Sequence, residues 1–284
     1  MLAVITQPDK PSGRHRKITF SPVKEEAIRA AIDVLQPVKL KEPDFFKTLQ
    51  RLEPDYIVVV AYGKILTGEI IHLPKYGCIN LHASLLPKYR GAAPIHHAII
   101  NEEKVTGITS MLMDEGLDTG PLLHTRKIYI EKDDIAGTLT EKLSIEAGKI
   151  LIPTLRGFAE GTLKPITQKG EPSYAPVLLK NDCRIDWTLN AKKIACRIRG
   201  LCPIPGAYCF FNGKRIKLIR TETQEGQGEP GVVKTVTKVK LLVGTGSGLL
   251  SIVELQPQGK SSMVIKAFLQ GHKVKEGMAF GQNT

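Results

Sequence analysis

The chain contains 284 residues and has a formal net charge of +12, which arises from 40 lysines and arginines against 28 aspartates and glutamates. This length allows two unequal domains with separate cores, and 42% of the residues are hydrophobic. No apolar run is long enough to span a bilayer, and the stretch Met1 to Gln7 is too short and too uncharged for a secretory signal. We therefore expect a cytoplasmic protein and not a membrane-spanning one.

The first 160 or so residues alternate β-rich runs with helical patterns, which is typical of a parallel sheet with crossover helices. Ser21 and Pro22 suit the start of a helix that runs through Ala31, and Thr138 with Glu141 suits a capping box before a helix ending near Phe158. The predicted strands are Tyr56 to Ala61, Cys78 to His82, Gly107 to Met113 and Leu122 to Ile130. The fold class predicted for this part is α/β and Rossmann-like.

A stretch rich in Gly, Pro, Lys and Thr follows, and the pattern then changes to short strands bounded by turn residues. A helix predicted over Ala191 to Gly200 precedes five such strands, and Asn212-Gly213 is a strong hairpin signal. This pattern predicts a small, OB-like β-barrel, an architecture that often binds nucleic acid. We therefore predict a catalytic domain over residues 1–165, a linker over 166–180 and a barrel over 181–284.

The positive charge is concentrated in the predicted barrel. Residues 181–284 carry 16 basic and 7 acidic side chains, whereas residues 1–180 carry 24 and 21. A surplus of positive charge concentrated in one domain favours a polyanionic partner over a general solubility effect.

Asn80 and His82 lie two positions apart on a predicted strand, so their side chains share one face of the sheet. The acidic, glycine-bounded loop Asp114 to Gly120 follows the strand Gly107 to Met113, and we expect it at the carboxyl end of the sheet, with a carboxylate opposite the histidine. Taken alone, an Asn-x-His pair is more often packed inside a fold, and such a loop is more often a simple turn. The loop lacks the glutamate that a calcium loop requires.

Two segments together resemble the folate-dependent formyltransferases. These are CINLHASLLPKYRGAAPIHHAI, from Cys78 to Ile99, and GLDTG, from Gly116 to Gly120. Further segments are similar to the methionyl-tRNA branch of that superfamily: TQPDKPSGRHRK (Thr6 to Lys17), VVVAYGKIL (Val58 to Leu66), RGAAPI (Arg90 to Ile95), IDW (Ile185 to Trp187) and LQGHKVKEGMAF (Leu269 to Phe280).

The resemblance implies transfer of a formyl group from 10-formyltetrahydrofolate to the α-amino group of methionyl initiator tRNA, with Asn80, His82 and Asp118 as catalytic residues. It also implies that this reaction supports translation initiation. The implied folate contacts are Ser84, Leu85, Leu86, Pro87, Ala61, Tyr62, Gly63, Gly116 and Leu117. For the tRNA, the resemblance implies a contact with Arg14. We expect Arg16 and Lys17 to bind phosphate non-specifically, and the basic candidates in the barrel are Lys192, Arg197, Lys214 and Arg215.

Other side chains suggest structural roles. The five cysteines form no Cys-x-x-Cys pair and predict reduced, buried thiols, so we expect no metal. His96 and His97 are expected to pack or lie on a helix surface, and Trp187 is expected to anchor a core. We also expect a monomer.

The resemblance also implies that a first strand and helix, about thirty residues on the scale of a βα unit, precede the strand corresponding to Leu2 to Thr6. We therefore expect a catalytic domain that is incomplete at its N-terminus, through either a start site assigned too far downstream or a genuine truncation. Two other functions remain open: formyl transfer to a small-molecule amine, and an inactive tRNA-binding remnant.

Overall fold

The computed structural model describes residues 1–12 and 17–281. These residues form two compact units. The first unit consists of Met1–His82, Ile108–Arg126 and Ala147–Glu171. The second unit consists of Ala83–Gly107, Lys127–Glu146 and the C-terminal residues from Pro172. No helix of the described residues is long and apolar enough to cross a membrane.

The chain begins with a small parallel sheet and a short hairpin. The elements are β1 (Ala3–Ile5), β2 (Lys10–Ser12), β3 (Lys17–Thr19), α1 (Pro22–Arg29) and β4 (Asp33–Leu35). Strands β1 and β4 pair in parallel, and β2 and β3 pair antiparallel. Helix α1 begins as predicted, because the Ser21 hydroxyl accepts a hydrogen bond from the Lys24 N–H at 3.2 Å and caps the first turn.

A second sheet holds the motif that carries the family resemblance. It follows α2 (Pro43–Leu52) and contains β5 (Ile57–Val59), after which come α3 (Gly68–Ile71) and β6 (Cys78–His82). Strand β6 has the predicted bounds and pairs in parallel with β5. Phe45, Leu49 and Ile70 form the buried centre of an apolar core against these elements. Among the described residues β5 has no strand on its other edge, and Val60 just beyond it is 55% exposed.

The sheet continues with the order β5-β6-β7-β8. Its further elements are α4 (Pro94–Ile100), β7 (Val105–Leu112), β8 (Leu122–Tyr129) and α5 (Ala136–Ala159). Strand β7 runs antiparallel to β6, with His82 opposite Thr109. The capping box predicted at Thr138 is wrong, because α5 begins two residues earlier and the Thr138 hydroxyl accepts from the Ile135 N–H at 3.1 Å.

The C-terminal part of the second unit is a curled antiparallel sheet, in agreement with the predicted barrel. After a 3-10 turn (Asn181–Cys183), its elements are α6 (Ala191–Leu201), β9 (Tyr208–Phe211), β10 (Lys214–Gln224), β11 (Val233–Val236), β12 (Leu241–Gly244), β13 (Leu249–Pro257), β14 (Met263–Val264), α7 (Ile265–Gly271) and β15 (Phe280–Gly281). The strand order is β11-β12-β13-β10-β9-β15, with β14 on β13. Its core includes Trp187, Ile198, Leu218, Phe268 and Phe280.

Two local predictions in this chain are confirmed. Asn212 and Gly213 have φ values of 48° and 69° and connect β9 to β10 as a tight hairpin, in which Phe211 pairs with Lys214. All five cysteines are free and buried, and burial raises the pKa of the Cys78 and Cys209 thiols to about 12. These thiols therefore stay protonated and act as apolar packing groups.

Candidate active site

Strand β6 presents Asn80 and His82 on one face of the sheet. Its neighbouring residues Cys78, Ile79 and Leu81 are buried, which anchors the strand in the core on both sides. The His82 side chain is only 6% exposed, whereas Asn80 is half-buried. A buried strand gives both polar groups little freedom, so their positions are fixed before any ligand arrives.

The structure brings Asp118 to both of these residues. Its Oδ2 lies 3.6 Å from Nδ1 of His82, and its Oδ1 accepts a hydrogen bond from Nδ2 of Asn80 at 3.4 Å. The Asp118 side chain is 13% exposed. A largely buried carboxylate next to Nδ1 favours the tautomer that carries its proton on that nitrogen.

The loop from Asp114 to Gly120 does not leave the sheet at the edge that we expected. Because β7 runs antiparallel to β6, the end of β7 lies beside the start of β6, as the hydrogen bond from Met113 N–H to Cys78 O shows. The expectation of a shared carboxyl edge is therefore wrong for this pair of strands. The loop turns back instead, and Asp114 Oδ1 accepts hydrogen bonds from the Gly116 N–H at 3.1 Å and the Thr119 hydroxyl at 2.7 Å.

Gln168 is a residue of this site that our reading of the sequence missed. Its side-chain amide donates hydrogen bonds to the backbone carbonyls of Asp118 and Gly120, both at 2.8 Å. A single glutamine inside a Gly/Pro-rich stretch carries no pattern that distinguishes it from a solvated linker residue. Only the fold places it against the loop.

The chain beyond β5 supplies a second group of candidate residues, namely Ala61, Tyr62 and Gly63. Ala61 and Gly63 have positive φ values of 45° and 74°, and the Tyr62 carbonyl accepts a hydrogen bond from the Gln7 amide at 2.9 Å. The buried Tyr62 hydroxyl has no hydrogen-bond partner among the described residues. Burial raises the pKa of this hydroxyl, so it remains a neutral donor at pH 7.

The other implied folate contacts fall into two groups. In the first unit, Gly116 and Leu117 lie on the exposed side of the acidic loop, and Leu117 is 59% exposed. In the second unit, Ser84 is fully buried and donates to the Lys88 carbonyl at 2.6 Å, and Leu86 is also buried. Leu85 and Pro87 are half-buried.

The segment after Pro87 is held by residues of the predicted linker. The Arg90 N–H donates to the Ser173 carbonyl at 2.8 Å, and the Ala175 N–H donates to the Arg90 carbonyl at 2.7 Å. A Cβ added to Gly91 would lie 2.8 Å from the Ala175 carbonyl oxygen, so only glycine fits this close approach. Residues 173 to 175 are therefore paired backbone and not a free tether.

The candidate tRNA contacts are scattered over several environments. Arg14 and Arg16 lie outside the described residues, and for Lys17 only the backbone, at the start of β3, is described. Lys192 pairs with Glu102 at 2.5 Å, and Arg197 donates to the Asp182 carbonyl. Lys214 is exposed at the hairpin.

Arg215 is the candidate with the most developed surroundings. Its guanidinium lies over the Tyr208 ring, 5.4 Å from the centroid. It also lines a recess of about 220 Å³, whose other lining residues are Lys217, Gln256, Pro257, Gln258 and Gly259. Sequence reasoning did not single out a neighbouring cation, Arg184, which lies 5.9 Å from the Phe210 ring centroid.

The remaining side chains have the structural positions that we expected. His96 Nδ1 lies 2.9 Å from the Gly200 carbonyl, His97 Nε2 lies 3.1 Å from the Pro176 carbonyl, and Trp187 is 7% exposed within the C-terminal core. No group of His, Cys, Asp and Glu residues in the described part of the chain is arranged to hold a metal ion.

Two family models match the chain, one over its N-terminal part and one over its C-terminal part. The formyl transferase family matches residues 1–155, and the C-terminal domain of formyl transferases matches residues 178–273. The chain belongs to the formyl transferase family.

Its relatives share close to half of its residues over nearly its whole length. The methionyl-tRNA formyltransferase of Caldanaerobacter subterraneus subsp. tengcongensis is 51% identical over 98% of this chain and 91% of that protein. The enzyme of the same name from Thermodesulfovibrio yellowstonii is 49% identical over 98% of this chain and 90% of that protein. Among solved structures, HypX from Aquifex aeolicus in complex with tetrahydrofolic acid has a similar fold, with a TM-score of 0.62 and 20% identity over 89% of this chain and 47% of that one.

Proposed function

We propose that this formyltransferase transfers the formyl group of 10-formyltetrahydrofolate to the α-amino group of methionyl initiator tRNA, as the monomer and in the cytoplasm. The observation that carries the proposal is the 51% identity to a methionyl-tRNA formyltransferase over 98% of the chain. The cluster of Asn80, His82 and Asp118 supplies the polar groups that such a reaction requires.

Asn80 and His82 stabilise the charge that develops during the transfer. Attack of the amine on the formyl carbon breaks the carbonyl π bond and places negative charge on the formyl oxygen. The Asn80 amide retains a second N–H besides the one directed at Asp118, and this N–H can donate to that oxygen. The imidazole can donate to it as well once Nε2 has taken the proton of the amine. Because β6 holds both groups in place, the donors need no rearrangement when the charge appears.

His82 also moves the proton that the reaction must relocate. A new C–N bond forms to the methionine nitrogen, the bond to the folate N10 breaks, and one proton passes from the attacking amine to the departing nitrogen. The imidazole can carry this proton through Nε2, because Nδ1 faces the Asp118 carboxylate at 3.6 Å. Asp118 fixes the orientation of the ring.

The residues around β5 and the acidic loop suit a folate. The buried Tyr62 hydroxyl lacks a partner among the described residues and can donate to a polar edge of a heterocycle. Leu117, 59% exposed, offers an apolar surface to the ring. Apolar surface with a few polar groups that fix orientation is typical of small-molecule sites. Folate, when bound, supplies the formyl group.

The acceptor is bound by positive charge in the C-terminal part of the chain. Lys214 is exposed, and Arg215 lies over an aromatic ring beside a polar recess, so both can contact phosphate groups. Lys192 and Arg197 already have acidic or carbonyl partners, and we assign them smaller contributions.

The choice of acceptor tests the proposal. Purified protein is given 10-formyltetrahydrofolate labelled in the formyl group and, separately, methionyl initiator tRNA, glycinamide ribonucleotide and an amino-sugar nucleotide. We expect label to reach the tRNA-bound methionine alone. Transfer to a small amine but not to tRNA would replace the proposed acceptor, and RNA binding without any transfer would indicate an inactive remnant.

A further inference from the structure

The Gln168 side chain connects a segment outside the sheet to the loop that carries Asp118. Its Nε2 donates one hydrogen bond to the Asp118 carbonyl and one to the Gly120 carbonyl, both at 2.8 Å. An amide nitrogen has two N–H groups, and these two carbonyls use both. The two acceptors flank Thr119, so the amide holds the backbone on both sides of one residue.

The loop needs such support because its backbone is unfavourable by itself. Asp118 has φ of 52°, in the left-handed region that non-glycine residues seldom adopt. Gly120 is wedged in place, since an added Cβ would lie 1.9 Å from the Leu112 carbonyl oxygen. The backbone carbonyls of Asp118 and Gly120 belong to the same strained turn as the Asp118 side chain. We therefore expect a shift of these carbonyls to move that side chain as well.

The Asp118 carboxylate, in turn, depends on this turn for its position. It is 3.6 Å from His82 Nδ1 and 3.4 Å from Asn80 Nδ2, both near the outer limit of a useful contact. A displacement of about 1 Å would therefore separate it from both partners. Misplacement on this scale can reduce a reaction rate about a hundredfold.

We propose that Gln168 is a positioning residue for formyl transfer, which acts by holding the Asp118 carboxylate against His82 and Asn80. This inference rests on the proposed function, because it assigns Gln168 a role in the same reaction. These two hydrogen bonds go to backbone carbonyls of the loop, and through them Gln168 acts on the position of Asp118. The chemistry calls for a neutral donor, since a glutamate here would place carboxylate oxygens against two carbonyl oxygens.

A purely structural role makes a different prediction. If Gln168 only ties its own segment to the sheet, its loss lowers stability and affects every variant of the enzyme equally. If it positions Asp118, its loss matters only while the Asp118 carboxylate is present. The hydrogen bonds go to the backbone, so they persist when the Asp118 side chain is removed, and the two roles can be separated by a double-mutant cycle.

The experiment measures single-turnover formyl transfer to methionyl-tRNA with the full chain in excess. The variants are Gln168→Leu, Asp118→Ala and the double variant, with Thr167→Leu as a control at the exposed neighbouring position. We expect Gln168→Leu to slow transfer roughly tenfold to a hundredfold, with tRNA affinity within about twofold of the original. In the Asp118→Ala background the same change should have almost no further effect.

Three outcomes would overturn the inference. An equal loss in both backgrounds would indicate a structural role, and an unchanged rate for Gln168→Leu would remove the role altogether. An unchanged rate for Asp118→Ala would instead remove the proposed catalytic cluster, and the inference with it. If Gln168→Leu does not fold, Gln168→Asn, whose shorter amide cannot reach both carbonyls, enters the same cycle and is judged by the same outcomes.

Discussion

Single residues decide the chemistry of this protein through the groups that hold them. Asn80 and His82 are fixed by a buried strand, whereas Asp118 is fixed by hydrogen bonds within its loop and from Gln168. The strand contributes rigidity through packing, and the loop contributes a carboxylate that a regular strand could not bring to the same point. The two supports are physically different, so their loss should have different consequences.

Removal of the Asn80 amide should reduce the rate without a large change in binding. Asn80→Ala deletes the donor that we propose for the developing oxyanion, and we expect single-turnover transfer to slow by about 10²–10³-fold. The KM for methionyl-tRNA should remain within about threefold of the original, because the proposed role of this amide is at the formyl oxygen in the transition state and not in tRNA binding. Asn181→Ala, at an exposed position, is the matched control. A variant that loses affinity and keeps its rate would contradict this role.

Asp134 should make stability depend on pH. Burial alone raises the pKa of this carboxyl, but hydrogen bonds from Lys142, the Glu131 N–H and Thr138 outweigh burial and hold the pKa below its ordinary value. A lowered pKa in the folded state stabilises the protein above the pKa of an unfolded aspartate, about 3.9. That contribution is lost as the pH falls through the lower, folded-state pKa.

Asp134→Asn should therefore lower the free energy of unfolding by about 1–3 kcal/mol at pH 7. The difference from the original chain should narrow as the pH falls below the pKa of an unfolded aspartate, about 3.9. Urea unfolding at several pH values measures both quantities, with Asp133→Asn as the exposed neighbour for comparison. A gap of constant size across this pH range would show that the ionised carboxylate is not its source.

At the scale of elements, the contact between α4 and α6 within the second unit depends on a glycine. A Cβ added to Gly200 of α6 would lie 2.6 Å from Ile100 Cγ1 and 3.0 Å from the His96 carbonyl oxygen, both in α4. We expect Gly200→Ala to destabilise the protein by about 1–3 kcal/mol through overpacking.

Another helical glycine provides the control for that change. Gly148 of α5 is exposed and has no atom within 4 Å of an added Cβ. Gly148→Ala should raise the free energy of unfolding by about 0.5–1 kcal/mol, because alanine favours a helix. Thermal unfolding of the two variants should therefore shift in opposite directions. A stabilised Gly200→Ala variant would show that the helices separate easily.

The elements that sequence predicted best are those with local causes. The buried run Cys78 to His82 and the Asn212-Gly213 turn lie where predicted, because each depends on neighbouring residues alone. The capping box at Thr138 failed because Thr138 lies inside the first turn of α5, where its hydroxyl donates to the Asp134 carboxylate and accepts from the Ile135 N–H. The direction of β7 and the role of Gln168 could not be predicted, since both depend on contacts between residues that are distant in the chain.

At the scale of the whole molecule, the excess of positive charge should appear as salt-dependent RNA binding. The surplus of positive charge is concentrated in residues 181–284, which carry 16 basic and 7 acidic side chains. If Lys214 and Arg215 contact phosphates, replacing both with alanine should reduce the slope of log affinity against log salt by about 0.7–0.9 per contact. Lys41→Ala with Lys47→Ala removes the same charge elsewhere. Equal slopes for the two double variants would contradict a specific contact surface.

The most direct test of the catalytic cluster is the single-turnover rate of formyl transfer by His82→Ala, measured with 10-formyltetrahydrofolate and methionyl initiator tRNA. We expect this rate to fall by about 10²–10⁴-fold, whereas His72→Ala, whose side chain is 70% exposed, should keep the original rate. A His82→Ala variant that transfers formyl groups as fast as the original chain would contradict the central claim that this histidine carries the proton.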